Sequence, residues 1–273
     1  MLIDCGEGTQ MQLQRYKIKK SRISQIFISH VHGDHILGLP GLLLSMNLMR
    51  RESPIDIYGP AELFEILDTI FRLSAAAFHY QINYHVLNPD RSEMIYENIF
   101  YSVTSFPLYH RIPTVGFKIR ERSKLRKLNA EACERHKIPF THYNDIKMGK
   151  DYVSPDGKVQ VSNEALTFNP GMPIAYAYCS DTIFDERIIS SVEDVDILYH
   201  EATFMHDKLE RAVETMHTTA KQAGIIARKA AVKKLIIGHF SSRYEDLAPL
   251  LAEAKAEFPN TEIADEGRKF IME

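Results

Sequence analysis

The sequence predicts an α/β fold on two observations: short apolar runs of strand length recur along the chain, and segments with helical periodicity separate them. The strand candidates are Gln25 to Ser29, Ile55 to Tyr58, Ile82 to Leu87, Phe100 to Leu108, Ala175 to Cys179, Ile197 to Tyr199 and Leu235 to Ile237. Among the helices, Pro60 to Ser74 starts on a proline, which suits a first helical turn, and places Leu63, Ile66, Leu67 and Ile70 on one face. Thr218 to Ala231 is a second helical candidate. Ile36 to Met49 is apolar on nearly every side, as expected of a core helix or of a subunit contact. With 273 residues, 45% apolar and 25% charged, the chain can bury a large core, and the composition argues against disorder.

The formal charge is only −3, so a nucleic-acid partner would have to be held by a local basic patch. One segment supplies such a patch: Lys118 to Lys137 carries eight Lys and Arg against three Glu, and a polar stretch follows through Asn144, Asp156 and Gly157. It breaks the α/β pattern as an insertion would, although a solvated helical face has the same charge signature. Cys5, Cys133 and Cys179 are far apart and lack CxxC spacing, so neither a disulfide framework nor a thiolate zinc site is expected, and a reducing cytoplasm is. No apolar run reaches the roughly 18 residues of a membrane span, and the start has no signal-peptide character, so a soluble, non-exported protein is expected.

The chemistry concentrates in His30-Val31-His32-Gly33-Asp34-His35. This run follows the strand that ends near Ser29, and loops leaving strand ends are where sites form. A lone His-x-His is often a chance surface pair. Three imidazoles and a carboxylate within six residues are a ligand set for zinc or a similar divalent ion. The run cannot complete two metal sites by itself. His110, Asp181 and His239 each follow a strand candidate and are the further ligand candidates, although each position also suits a core or turn-capping residue. Two such ions lower the pKa of water and stabilise charge developing on oxygen, which suits hydrolysis of esters, thioesters, lactams and phosphodiesters alike.

The same run resembles the signature of the metallo-β-lactamase superfamily, which implies a four-layer αβ/βα sandwich with metals at the sheet edge. Within it the chain resembles the ribonuclease Z family, the short-form tRNA 3′ processing endonucleases. The further motifs are Asp4-Cys5-Gly6-Glu7-Gly8-Thr9-Gln10, His110 ahead of Arg111 to Phe117, Ser180-Asp181-Thr182, His200-Glu201-Ala202-Thr203, Met216-His217-Thr218-Thr219-Ala220 and Gly238 to Tyr244. The resemblance implies one zinc ion on His30, His32 and His110, a second on Asp34, His35 and His239, and Asp181 bridging them; manganese and iron(II) suit the same donors. It implies that Asp34 activates the attacking water, and that His217, supported by Glu201, assists departure of the ribose 3′ oxygen. From the residues alone, His217 ahead of Thr218 and Thr219 is equally a helix N-terminus.

The resemblance gives the basic insertion, about 118 to 164, the role of a protruding exosite arm that grips the tRNA elbow. Lys124, Arg126 and Lys127 would then contact phosphates without reading bases. Departing from many bacterial arms, which are Gly-Pro-rich, this one reads Ile138-Pro139-Phe140-Thr141-His142-Tyr143-Asn144. A homodimer is also implied. Family members carry a segment ahead of the Asp4 to Gly8 motif that forms the first strands and seats the RNA 3′ end; this chain starts almost inside the motif. A sheet without those strands is therefore expected, with catalysis weakened until an upstream extension is restored. The expected activity is removal of the 3′ trailer from precursor tRNA, cutting 3′ of the discriminator base and leaving a 3′ hydroxyl. The competing expectations are a sibling hydrolase acting on small phosphodiesters or thioesters, and an RNA-binding relative weakened in catalysis.

Overall fold

The computed structural model describes residues 1–122 and 125–272. Lys124, one of the expected phosphate contacts, lies outside the described residues. The chain divides into two compact units, the first comprising Met1–Tyr96, Val103–Ile119 and Ala175–Glu273, the second Glu97–Ser102 and Arg120–Ile174.

The first unit is built on two sheets. Leu2–Ile3, Gln25–Phe27, Ile55–Gly59 and Ile82–Val86 form a four-stranded parallel sheet in sequence order, with Ile26 opposite both Leu2 and Ile57. In the seven-stranded sheet, Ala175–Cys179, Ile197–Glu201, Lys234–Gly238 and Thr261–Ile263 run parallel to one another, and Thr114–Glu121, Tyr101–Leu108 and Glu93–Glu97 follow beyond Ala175–Cys179. Parallel strands are covered on both faces, so they read as continuous apolar runs such as Ile26-Phe27-Ile28 and Leu235-Ile236-Ile237.

Alternation along each strand sorts the layers. Ile26 and Ile28 join Ile55, Ile57 and the helices Leu39–Leu48 and Ala61–Leu73 in one core. Phe27 points the other way, with ring centroids 4.8 Å from Tyr58 and 5.5 Å from Phe117 of the second sheet. Leu235, Ile237, Ala177 and Leu198 pack instead with the helices Ala220–Lys229 and Ala248–Glu257. Helices, sheet, sheet, helices: this is the expected αβ/βα order. Each fully buried leucine on these faces contributes about 1.5–3 kcal/mol.

Local boundaries differ from the sequence reading where backbone chemistry intervenes. Within the stretch Ile36 to Met49 the helix is Leu39–Leu48, and Ile36 ends a separate short helix, Gly33–Ile36. Leu39–Leu48 buries Leu39, Leu42, Leu43 and Met46 on one face and exposes Leu48. Of the two threonines that suit a helix cap, Thr219 caps Ala220–Lys229, in a reciprocal capping box with Gln222.

Asp196 ties two parallel strands together. Its carboxylate accepts the Ala175 N–H at 2.6 Å and the Lys233 ammonium at 2.6 Å. Burial alone would raise its pKa; the bonds from Lys233 and Ala175 outweigh burial and hold it below the ordinary carboxylate value. Its stabilisation is therefore present above the unfolded pKa, near 3.9, and is lost as pH falls through the lower folded value. Asp196→Asn is expected to cost about 1–3 kcal/mol at neutral pH, with the cost shrinking toward the lowest pH at which the chain stays folded. Urea melts across that range check this, and a pH-independent cost contradicts it.

The second unit holds a small core of its own, made of Ala132, Cys133, Ile138, Ile146, Tyr152, Val161 and Leu166. Short antiparallel pairs, Lys127–Leu128 with Thr167–Phe168 and Tyr152–Val153 with Gln160–Val161, accompany the helices Ala130–Arg135, Tyr143–Lys147 and Asn163–Leu166. Asn163 is buried there, its amide donating to the carbonyls of Ile146 and Lys150. Of the expected insertion at about 118 to 164, the part from Arg120 onward belongs to this unit, which runs on to Ile174 and includes Glu97–Ser102. No helix among the described residues is long and apolar enough to cross a membrane.

Candidate metal centre

Six chain segments of the first unit deliver the candidate residues, five of them at or just beyond the C-terminal end of a strand. His30 to His35 follow Gln25–Phe27, His110 follows Tyr101–Leu108, Asp181 follows Ala175–Cys179 and His239 follows Lys234–Gly238. Glu201 is the last residue of Ile197–Glu201, and His217 precedes the helix Ala220–Lys229. Parallel strands that end together make such an edge a natural site.

The structure brings the seven candidate ligands together. His30, His32, His110 and Asp181 form one group and Asp34, His35 and His239 another, with the donor atoms of each within 4.8 Å of one another. Asp181 stands between them: its Oδ2 lies 3.6 Å from His30 Nε2 and 3.8 Å from His110 Nε2, and its Oδ1 lies 3.4 Å from His35 Nε2 and 3.2 Å from His239 Nε2. Asp34 Oδ2 closes the second group at 3.5 Å from His35 Nε2 and 3.3 Å from His239 Nε2. Ligands about 2.0–2.2 Å from one tetrahedral ion stand roughly 3.4 Å apart, so these spacings fit a shared cation.

Two further observations carry the fit. His35 Nε2 and Asp181 Oδ1 are buried and make no hydrogen bond among the described residues, a costly arrangement unless something polar joins them. His30, His35, His110 and His239 each have a partner on Nδ1. His30 Nδ1 meets Ser29 Oγ at 3.0 Å, His35 Nδ1 meets Asp4 Oδ2 at 2.8 Å, His110 Nδ1 meets the Met216 carbonyl at 2.8 Å and His239 Nδ1 meets Thr203 Oγ1 at 3.0 Å. Such outer bonds fix the rings and leave Nε2 as the ligand atom. The donor set fits divalent metal ions.

Without a cation, the charges compensate one another. The neighbouring His239 and His35 rings hold the Asp34 carboxyl well below the usual range. Burial works against the Asp181 charge, yet His30 and His35 hold its carboxyl well below as well. Burial also disfavours a charged His35, but Asp181, Asp34 and Asp4 around it push its pKa up to about 12. His110 goes the other way: burial lowers it to about 4. Cations entering this cluster therefore displace protons.

Glu201 and His217 adjoin the cluster. His217 Nδ1 lies 2.9 Å from Glu201 Oε1, and Glu201, fully buried, also accepts the Thr182 and Thr203 N–H groups. Asp181, His217 and His239 themselves form a third close group. Arg126 and Lys127 belong to the second unit: Arg126 Nε donates to Thr167 Oγ1 at 2.7 Å, and Lys127 is exposed in the short strand Lys127–Leu128.

Sequence reading assigned no role to Asp4, Ser29 or Thr203. Asp4 accepts from Ser29 N–H, the Ser29 hydroxyl and the Tyr178 hydroxyl as well as facing His35. The one available signal was a carboxylate ending a strand inside the Asp4 to Gly8 motif. That motif also seats the metal loop: Cys5 N–H donates to the His35 carbonyl, Gly38 N–H to the Cys5 carbonyl, and a Cβ on Gly6 would overlap the Asp34 carbonyl. Only glycine permits that approach.

Comparison with known proteins agrees with this geometry. Residues 1–101 match the family model described as anti-Pycsar protein Apyc1. The chain is 44% identical over 271 residues to a protein named ribonuclease Z from Parabacteroides distasonis, covering 99% of this chain and 89% of that one. It is 44% identical over 265 residues to ribonuclease Z from Bacteroides fragilis, covering 97% and 87%. The crystal structure of human tRNase Z, short form, superposes with a TM-score of 0.71 at 24% identity, covering 99% of this chain and 87% of that one. With an αβ/βα sandwich and near-complete alignment to relatives of that name, this chain belongs to the ribonuclease Z family and has the metallo-β-lactamase fold.

Proposed function

We infer that the chain is a metal-dependent endoribonuclease that cleaves precursor tRNA 3′ of the discriminator base, removing the 3′ trailer and leaving a 3′ hydroxyl on the tRNA. The observation that carries this is the pair of ligand groups bridged by Asp181, with the Glu201–His217 pair at their side. Two ions there, zinc in the first instance, would supply positive charge for the phosphate oxygens and acidify water. His30, His32 and His110 would hold one ion and Asp34, His35 and His239 the other, with Asp181 available to both.

The chain's own residues do the rest. Asp34 is half-open to solvent and, when ionised, is purely a hydrogen-bond acceptor, so it orients the attacking water and takes its proton. As the water oxygen bonds to phosphorus, the bond from phosphorus to the ribose 3′ oxygen breaks. That oxygen leaves with the electron pair and takes a proton from His217, whose other ring nitrogen is held by Glu201. The tRNA ends in a hydroxyl and the trailer begins with a phosphate. The second unit supplies phosphate contacts through Arg126 and Lys127, and through Lys124, giving affinity that falls with salt. A homodimer working in the cytoplasm completes the proposal.

The test compares a precursor tRNA with bis(p-nitrophenyl) phosphate, using protein stripped by chelator and then reloaded with zinc, manganese or iron(II). The expected result is a single cut after the discriminator base that is lost on stripping and restored by metal. Activity on the small ester alone would favour the small-substrate hydrolase, and tRNA binding without any turnover would favour the RNA-binding relative.

A further inference from the structure

One side chain with several polar contacts beside the metal groups belongs to neither of them. Thr203 lies two residues past the strand Ile197–Glu201 and is 6% exposed. Its Oγ1 is 2.6 Å from Glu201 Oε2, 3.0 Å from His239 Nδ1, 2.9 Å from the His239 carbonyl and 3.3 Å from His217 Nδ1. A hydroxyl offers one proton and two lone pairs, so these contacts cannot all be donations from it. The ionised carboxylate is the stronger acceptor and the nearer one, so the hydroxyl proton goes to Glu201 and the His239 carbonyl is outcompeted. His217 Nδ1 is closer to Glu201 Oε1, at 2.9 Å, than to Thr203, and donates there.

The Thr203 lone pairs are then left to accept from His239 Nδ1–H. In the neutral ring that bond leaves Nε2 bare, the atom 3.2 Å from Asp181 and 3.3 Å from Asp34. One hydroxyl therefore joins the carboxylate that steadies His217 to the ring that faces the second metal group. We propose that Thr203 is a positioning residue that fixes the tautomer and orientation of His239 and locks it in register with the Glu201–His217 pair. The inference rests on the metal-centre reading above.

The variants are Thr203→Val, which keeps the shape and removes the hydroxyl, and Thr203→Ser, which keeps the hydroxyl and removes the methyl. Three readouts apply to each: zinc affinity of the stripped protein by chelator competition, the ¹⁵N shifts of the His239 ring, and kcat and KM on precursor tRNA. For Thr203→Val the more weakly held ion should bind about 10–100-fold less tightly. The Nδ1-protonated signature of His239 should be lost, and kcat should fall with KM unchanged. Thr203→Ser should restore all three toward the parent. Equal losses in both variants would assign the role to the methyl group and overturn the proposal, as would a Thr203→Val protein with parental zinc affinity and tautomer. A parent chain that binds no zinc would instead refute the metal-centre reading, and this inference with it.

Discussion

Asp34→Ala should lower cleavage of precursor tRNA by roughly 10²–10⁴-fold or more, while binding of the uncleaved tRNA stays essentially unchanged. Each factor of ten corresponds to about 1.4 kcal/mol of transition-state stabilisation, so this single carboxylate is assigned about 3–5 kcal/mol. Its position explains the size. Asp34 Oδ2 sits within 3.5 Å of both His35 Nε2 and His239 Nε2, so the alanine removes a ligand of the second group and the acceptor for the water proton together. Asp34→Asn separates the two losses, because the amide keeps the shape and an oxygen but cannot take a proton at neutral pH. Gel-based cleavage rates alongside filter-binding affinities decide the matter. Near-parental turnover of Asp34→Asn would remove Asp34 from the role of base.

The second large effect concerns the leaving group. Glu201→Gln and His217→Ala should each reduce kcat by roughly 10²–10⁴-fold, and the double variant should be no slower than the worse single one. The two side chains share one hydrogen bond, 2.9 Å between His217 Nδ1 and Glu201 Oε1, and groups that act as a unit are not additive. The chemical cause can be isolated with a substrate whose bridging 3′ oxygen is replaced by sulfur. A thiol has a pKa of about 8.5, so it departs as the anion without a proton, and the deficit of these variants should shrink. A deficit of full size on the sulfur substrate would show that the pair does not supply the leaving-group proton.

Parts of the site were legible because they are contiguous or sit at a recurring position. His30 to His35 place four metal-capable side chains on one loop, and His110, Asp181 and His239 each follow a strand. The strand order of the sheets was not legible, and neither was the pairing that brings Asp181 between the two groups, since nothing local in Ser180-Asp181-Thr182 distinguishes a bridging carboxylate from a turn cap. The basic insertion was visible through its charge. The small core formed by Cys133, Ile138, Ile146 and Tyr152, and the buried Asn163 bonded to the Ile146 carbonyl, were not, because those residues are spread among short elements without a clear period.

The sequence by itself determined the α/β class, the candidate ligand types and, through its motifs, the resemblance to ribonuclease Z. The first two rest on periodicity and residue spacing and the third on matching motifs, and none of them needs coordinates. Only the tertiary structure decided how the ligands are held. Asp4 reaches Ser29 across 25 positions and Tyr178 across 174, Gly6 lies against the Asp34 carbonyl, and Thr203 meets His239 across 36. The physical reason is that a hydrogen bond or a close backbone approach carries no local signature in the chain. It exists only when the strands that end at this edge have been packed in register.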